Sequence, residues 1–331
     1  MMDLSIPYYE DNSRISNSAI GWFINNGPSY LHKKLTGQIP DEKGPQLERG
    51  TMIHEYILQP DEFGGDYIVA PAMMKRPISD KQEAFCNSLL KSIEIEPDKR
   101  LLAAYKANYS IVGKSEAKML SEATEMANSL KDYIDLKKDG RTIITDRDIQ
   151  KCSEVSNNIS EHKFASKILN DKDEDWEEHH EFHINWEFMG VKCKSLLDCV
   201  KFNFKKHICQ IIDLKTTVKL WHFHESIEKY DYLRQLCFYY LAAKWYLENE
   251  LQINLDDWEF EFYIVAIDST QTSDIRVFVF SWETVETRYS TIVDALKKIK
   301  WHEESGKWDH TYEYYQGNGC EELYLSINNF N

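Results

Sequence analysis

At 331 residues, 42% hydrophobic and 28% charged, the chain has the balance of a soluble globular protein with one large core or two modest ones. No apolar run approaches the roughly 20 residues of a membrane helix, and the opening MMDLSIPYYEDNSR lacks the basic start and apolar stretch of a secretory signal. Seven cysteines without C-x-x-C pairing point to reduced thiols in a cytoplasm and away from cysteine-held zinc or an iron–sulfur cluster. The formal charge of −16 repels phosphate overall, so nucleic-acid chemistry would require basic residues gathered along one groove.

Ser16 and Ser18 precede the periodic stretch AIGWFINNG and predict the cap of a first helix that ends near Gly27-Pro28. A second helix is expected from about Arg49-Gly50 through TMIHEYIL, with Pro60 as its stop. Residues 79–170 are rich in Ala, Glu, Lys, Leu and Ser and read as several helices. DKDEDWEE, residues 171–178, reads as an acidic link. Three strands follow in HHEFHINWEF, VKCKSLLDCVKFN and HICQIIDLKTT. A long helix is expected over Ser226–Asn249, then two strands, EFEFYIVAID and IRVFVFSW, and a last helix from Glu283 to about His302. The order is that of a mixed α/β sheet flanked by helices, with a helical N-terminal part (1–170), a core (171–305) and a C-terminal tail (306–331), all in one integrated domain.

Chemistry concentrates in IIDLKTT. Side chains alternate along a strand, so Asp213 and Lys215 share one face while Ile212 and Leu214 take the other. A charged pair ending an apolar strand is costly unless paired or bound to metal. For D-x-K alone, a structural ion pair is the commonplace explanation. Asp198 changes this, because KCKSLLD and the connection KFNFKKH allow adjacent antiparallel strands to bring two carboxylates together. Two such carboxylates repel, and a divalent cation such as Mg²⁺ relieves the repulsion.

Asp198 followed by Asp213-Leu214-Lys215 resembles the signature of the PD-(D/E)XK nuclease superfamily. Gly50-Thr51-Met52-Ile53-His54 and Gln235-Leu236-Cys237-Phe238-Tyr239 resemble the G-x-x-x-H and Q-x-x-x-Y helices of its RecB/RecE-like exonuclease branch. The order of segments over about residues 13–310 resembles RecE-like phage exonucleases. The resemblance implies metal ligation by Asp198, Asp213, the Leu214 carbonyl and His54, with Lys215 acting on the attacking water and the phosphate. It implies Mg²⁺, with Mn²⁺ accepted through the softer imidazole. Gln235 and Tyr239, four apart on a helix, would support the lysine or touch DNA, or simply pack the helix. Glu181 is a further candidate as an outer ligand, with an exposed strand position as its ordinary explanation.

The implied function is hydrolysis from double-stranded DNA ends, 5′–3′ by resemblance only, for phage-type recombination in a host cytoplasm. A single-strand annealing protein as partner and a homo-oligomer are implied in the same way; no membrane is. The rivals are an endonuclease or helicase-associated nuclease of the same fold, and an inactive DNA- or protein-binding module. Two features depart from the pattern: Leu196 stands where the family often has a basic residue, and the chain is acidic, with Lys75, Arg76, Lys205, Lys206 and Lys219 as candidates for a basic track. Val112-Gly113-Lys114-Ser115 ends like a phosphate loop, but Asn108 takes the place of its leading glycine, so no ATP site is expected. The histidines of HHEFH and WHFHE lack regular ligand spacing and read as strand and turn residues.

Overall fold

The Ser16 hydroxyl accepts from the Ala19 N–H at 3.2 Å and opens α1 (Asn17–Asn26), satisfying one of the donors that a helix start leaves free. Gly27, with φ 83°, ends it, and Pro28 begins α2 (Pro28–Leu35), where its missing N–H costs nothing. Helix α3 (Pro45–Leu58) starts four residues before the expected Arg49, and Pro60 opens a further short helix. The computed structural model describes residues 4–40, 44–91, 94–170, 174–270, 272–317 and 319–320; the start of the acidic link, 171–173, lies outside them.

Contacts divide the chain into two units: Met1–Leu58 with Val155–Asn331, and Gln59–Glu154. In the sequence reading the helical part runs to residue 170; by contacts, its first 58 residues and those after Glu154 group with the sheet. The Gln59–Glu154 unit gathers helices around Phe85, Cys86, Tyr105 and Ala123, with a parallel pair of short strands, Tyr67–Val69 and Thr142–Ile144. Its phosphate-loop-like Lys114 donates to Glu122 and to Tyr105, each at 2.6 Å. Arg76 donates to the Ile144 carbonyl at 3.1 Å.

The other unit holds a five-stranded sheet in sequence order: β1 (Glu177–Phe188), β2 (Val191–Asn203), β3 (Ile208–Thr217), β4 (Glu259–Asp268) and β5 (Ile275–Phe280). All neighbours are antiparallel except β3 and β4. A parallel join needs a crossover, and the helices Phe223–Lys229 and α4 (Tyr232–Trp245) supply it. The single helix expected over Ser226–Asn249 is thus broken. Asp231 takes a left-handed φ of 51°, which Asp tolerates better than most residues, and its carboxylate receives Arg288 Nε at 2.7 Å. The end of α4 then widens into a π turn, Tyr246–Glu250. The last expected helix is likewise two, Trp282–Glu286 and α5 (Tyr289–Ser305).

Buried Leu236, Phe238 and Ala242 of α4 join Val200, Phe202, Cys209, Ile211, Phe262 and Ile264 of the sheet in one core. Along β3 that core-facing row runs Cys209, Ile211, Asp213, Lys215 by strand periodicity: it begins apolar and ends charged. Among the described residues, no helix is long and apolar enough to cross a membrane.

Candidate active site

The β2–β3 ladder ends where Cys199 pairs with Ile212. One step further the same register sets Asp198 against Asp213, and here the Leu214 N–H donates to Asp198 Oδ2 at 2.7 Å. Asp213 is only 1% exposed. Lys215 places Nζ 2.6 Å from Asp213 Oδ2 and donates to the Leu214 carbonyl at 3.3 Å. From α4, Gln235 Nε2 donates to Asp213 Oδ1 at 2.9 Å and to Tyr239 Oη at 2.8 Å. Asp213 Oδ2, by contrast, faces Lys215, whose ammonium is the charge partner of this oxygen.

Helix α3 approaches the same place through Gly50. A Cβ there would stand 2.9 Å from Thr216 Oγ1 on β3, so this crossing requires glycine. One turn on, His54 Nδ1 lies 3.7 Å from Asp198 Oδ2. Glu181 comes from the other side. The β1–β2 ladder pairs His180 with Cys199 and Phe182 with Leu197, leaving Glu181 facing Asp198. Its φ is 46°, a left-handed conformation that costs a non-glycine residue about 1 kcal/mol or more. His54, Glu181 and Asp198 each bring one ligand atom to within 4.8 Å of the others. Glu181 is therefore half-buried beside the carboxylates rather than on an open strand face.

The electrostatics follow from this crowding. Burial pushes Asp213 up to about 6, with Lys215 opposing and Asp198 adding to the rise. Burial also raises Asp198, against the pull of Lys215. Glu181 goes up to about 7, first through burial and then through Asp198 and Glu55. His54 falls to about 4, again through burial first and Lys215 second, which leaves its imidazole neutral at pH 7 and able to ligate. For Lys215 the attraction of Asp213 and Asp198 outweighs burial and holds the ammonium above its ordinary range. The carboxylates of Asp198 and Glu181 and one neutral imidazole form a donor set suited to a hard or borderline divalent cation.

Three aromatic residues join the site without any motif to announce them. Tyr8 and Tyr9 lie in the field of Asp198 and Glu181, and Lys194 anchors this segment by donating to the Tyr8 and Asp11 carbonyls at 2.6 Å each. The Tyr232 ring centroid is 5.2 Å from Lys215 Nζ. The candidate residues of a basic track fall in both units. Lys205 pairs with Asp175, Lys75 and Arg76 belong to the Gln59–Glu154 unit, and Lys206 and Lys219 are exposed. Among the strand histidines, His180 sits between the Leu58 carbonyl at 2.5 Å and Glu178 at 2.6 Å. Lys201 closes that group at 3.2 Å from Glu178.

Residues 16–316 match the model of a family described as a PDDEXK-like domain of unknown function (DUF3799). No curated protein matches the chain. Among solved structures, that of a candidate exonuclease from Eubacterium rectale has a similar fold, with a TM-score of 0.51 at 14% identity over 99% of this chain and 97% of that one. With the family model spanning nearly the whole chain, the protein belongs to the PDDEXK-like family, within the PD-(D/E)XK nuclease superfamily.

Proposed function

We propose that the chain is a divalent-metal-dependent DNA exonuclease of the RecE-like type, hydrolysing phosphodiester bonds from duplex ends. The observation that carries this reading is the meeting of Asp198 and Asp213 across adjacent strands with the Lys215 ammonium beside them. Asp198, Asp213, the Leu214 carbonyl and His54 would hold the metal, with Glu181 at its outer side. When bound, Mg²⁺ or Mn²⁺ supplies a more acidic water and neutralises phosphate charge.

The remaining chemistry belongs to the chain. Lys215 stays protonated and lies where it can orient the attacking water and take up charge on the pentacoordinate phosphate. Gln235 fixes one Asp213 oxygen and leaves the other to Lys215; Tyr239 in turn fixes Gln235. The resemblance to RecE-like enzymes extends the proposal to 5′–3′ polarity, single-stranded tails for recombination, an annealing protein as partner and a homo-oligomer.

The test is digestion of linear and closed circular duplex by wild type and Asp213→Asn, with Mg²⁺, Mn²⁺ or chelator. The expected result is metal-dependent loss of linear DNA only, absent from the variant. Digestion of the closed circle would make the enzyme an endonuclease. Equal digestion by both proteins, or none by either, would defeat the nuclease reading.

A further inference from the structure

We propose that Trp221 is a stacking platform for an unpaired nucleobase of the DNA end, set just beyond the catalytic strand. This rests on the nuclease reading above. Of the nine tryptophans in the chain, Trp221 alone is among the exposed large hydrophobic residues, at 72%. It sits in a single 3-10 turn, Leu220–His222, four residues after β3 ends.

The ring is exposed yet braced. The Arg276 guanidinium lies 5.4 Å from its centroid and 4.8 Å from that of Phe278, and Arg276 also donates to the Leu220 carbonyl at 3.5 Å. A cation on one face fixes the ring's orientation and leaves the other face to a ligand. A chain of aromatic contacts ties this turn to the site: Phe278 packs on Phe223 at 5.4 Å, Phe223 on Tyr232 at 5.8 Å, and Tyr232 covers Lys215 at 5.2 Å.

Two cavities flank Trp221, of about 480 Å³ and about 550 Å³. One offers Asn158 and His162, the other Lys219 and Thr270. Both also contain carboxylates, among them Glu161 and Glu225. Carboxylates repel phosphate but accept from exocyclic amino groups of bases. The chemistry therefore favours a base lifted out of the duplex over a second phosphate subsite, and stacking is the sequence-tolerant way to hold one. A ring placed there would stabilise a frayed terminal pair and so assist entry of the strand to be cut.

The experiment compares wild type, Trp221→Ala and Trp221→Phe. Digestion kinetics are measured on a blunt duplex and on one with a mispaired end, and binding is followed by fluorescence of 2-aminopurine at the unpaired end in chelator. Trp221→Ala should raise KM for the blunt end about tenfold, the size of one lost stack, with little change in kcat. The mispaired end should narrow that gap, Trp221→Phe should recover most of it, and 2-aminopurine quenching should vanish only in the alanine variant. Unchanged KM and quenching in Trp221→Ala, in an enzyme that digests DNA, would overturn this inference alone. A wild type that neither binds nor digests DNA would overturn it together with the nuclease reading.

Discussion

Gly50→Ala separates activity from stability. The added Cβ meets Thr216 Oγ1 at 2.9 Å, whereas ordinary contact begins near 3.4 Å, so something must yield by about 0.5 Å. Thr216 cannot readily do so: its β-branched side chain has few rotamers, and its backbone pairs with Ile267 of β4. Helix α3 therefore moves, and it carries His54 away from Asp198. A misplacement of about 1 Å costs on the order of a hundredfold in rate, so half of that should cost about tenfold. Stability should go the other way or hold still, because alanine favours a helix over glycine by about 1 kcal/mol. The assay is the initial rate of linear duplex digestion at saturating Mn²⁺, alongside thermal unfolding of the same samples. Adding Thr216→Ala removes the obstructing oxygen and should return most of the rate. Full activity in Gly50→Ala, or no recovery in the double variant, would refute this account of why the helix needs glycine at that position.

Two further outcomes follow from the site. His54→Asn removes the borderline-soft donor, so the Mn²⁺ concentration for half-maximal digestion should rise about tenfold and that for Mg²⁺ less; equal titrations for wild type and variant would remove His54 from the ligand set. The second concerns pH. Asp213 and Glu181 have folded-state values of about 6 and about 7, above the ordinary 3.8 and 4.5. The folded protein thus holds these protons more tightly than the unfolded chain does. Their contribution to stability is greatest below about pH 4 and is lost as pH climbs to about 7. In chelator, Glu181→Gln should lose less stability than wild type between pH 5 and pH 7. Parallel melting curves for the two proteins would show that Glu181 titrates normally.

Much of this site was legible because its signals are local. Alternation alone put Asp213 and Lys215 on one strand face, and the length of the β2–β3 connection brought Asp198 opposite. The G-x-x-x-H run gave His54, but only the coordinates show that Gly50 is there to let α3 approach Thr216. Sequence made Glu181 a candidate outer ligand but did not reveal which way its side chain faces. It faces Asp198 through a left-handed residue inside a strand, and no propensity predicts that position for glutamate. Tyr8 is illegible for another reason: Lys194, far along the chain, positions it by gripping backbone carbonyls. The break at Asp231 was not legible either: its left-handed backbone goes with an ion pair to Arg288, far along the chain.

The acidic composition, which at first counts against a nucleic-acid enzyme, looks different from inside the site. Asp198, Asp213 and Glu181 contribute three negative charges when ionised. Lys215 contributes one positive charge, and His54, lowered to about 4, contributes none at pH 7. Glu55 adds to the negative field on Glu181, so the carboxylates outnumber the one ammonium, and a divalent cation would offset part of that excess. Burial first, and the neighbouring carboxylates after it, hold the Asp213 and Glu181 protons above the ordinary carboxylate range. On the proposed function, protons and a divalent cation compete for this cluster: crowded, buried carboxylates hold protons when alone and would yield them to a bound metal. Added metal should therefore release protons near neutral pH, and Glu181→Gln should reduce the number released. A metal titration that releases none would break the link between the acidity of the cluster and its proposed cation.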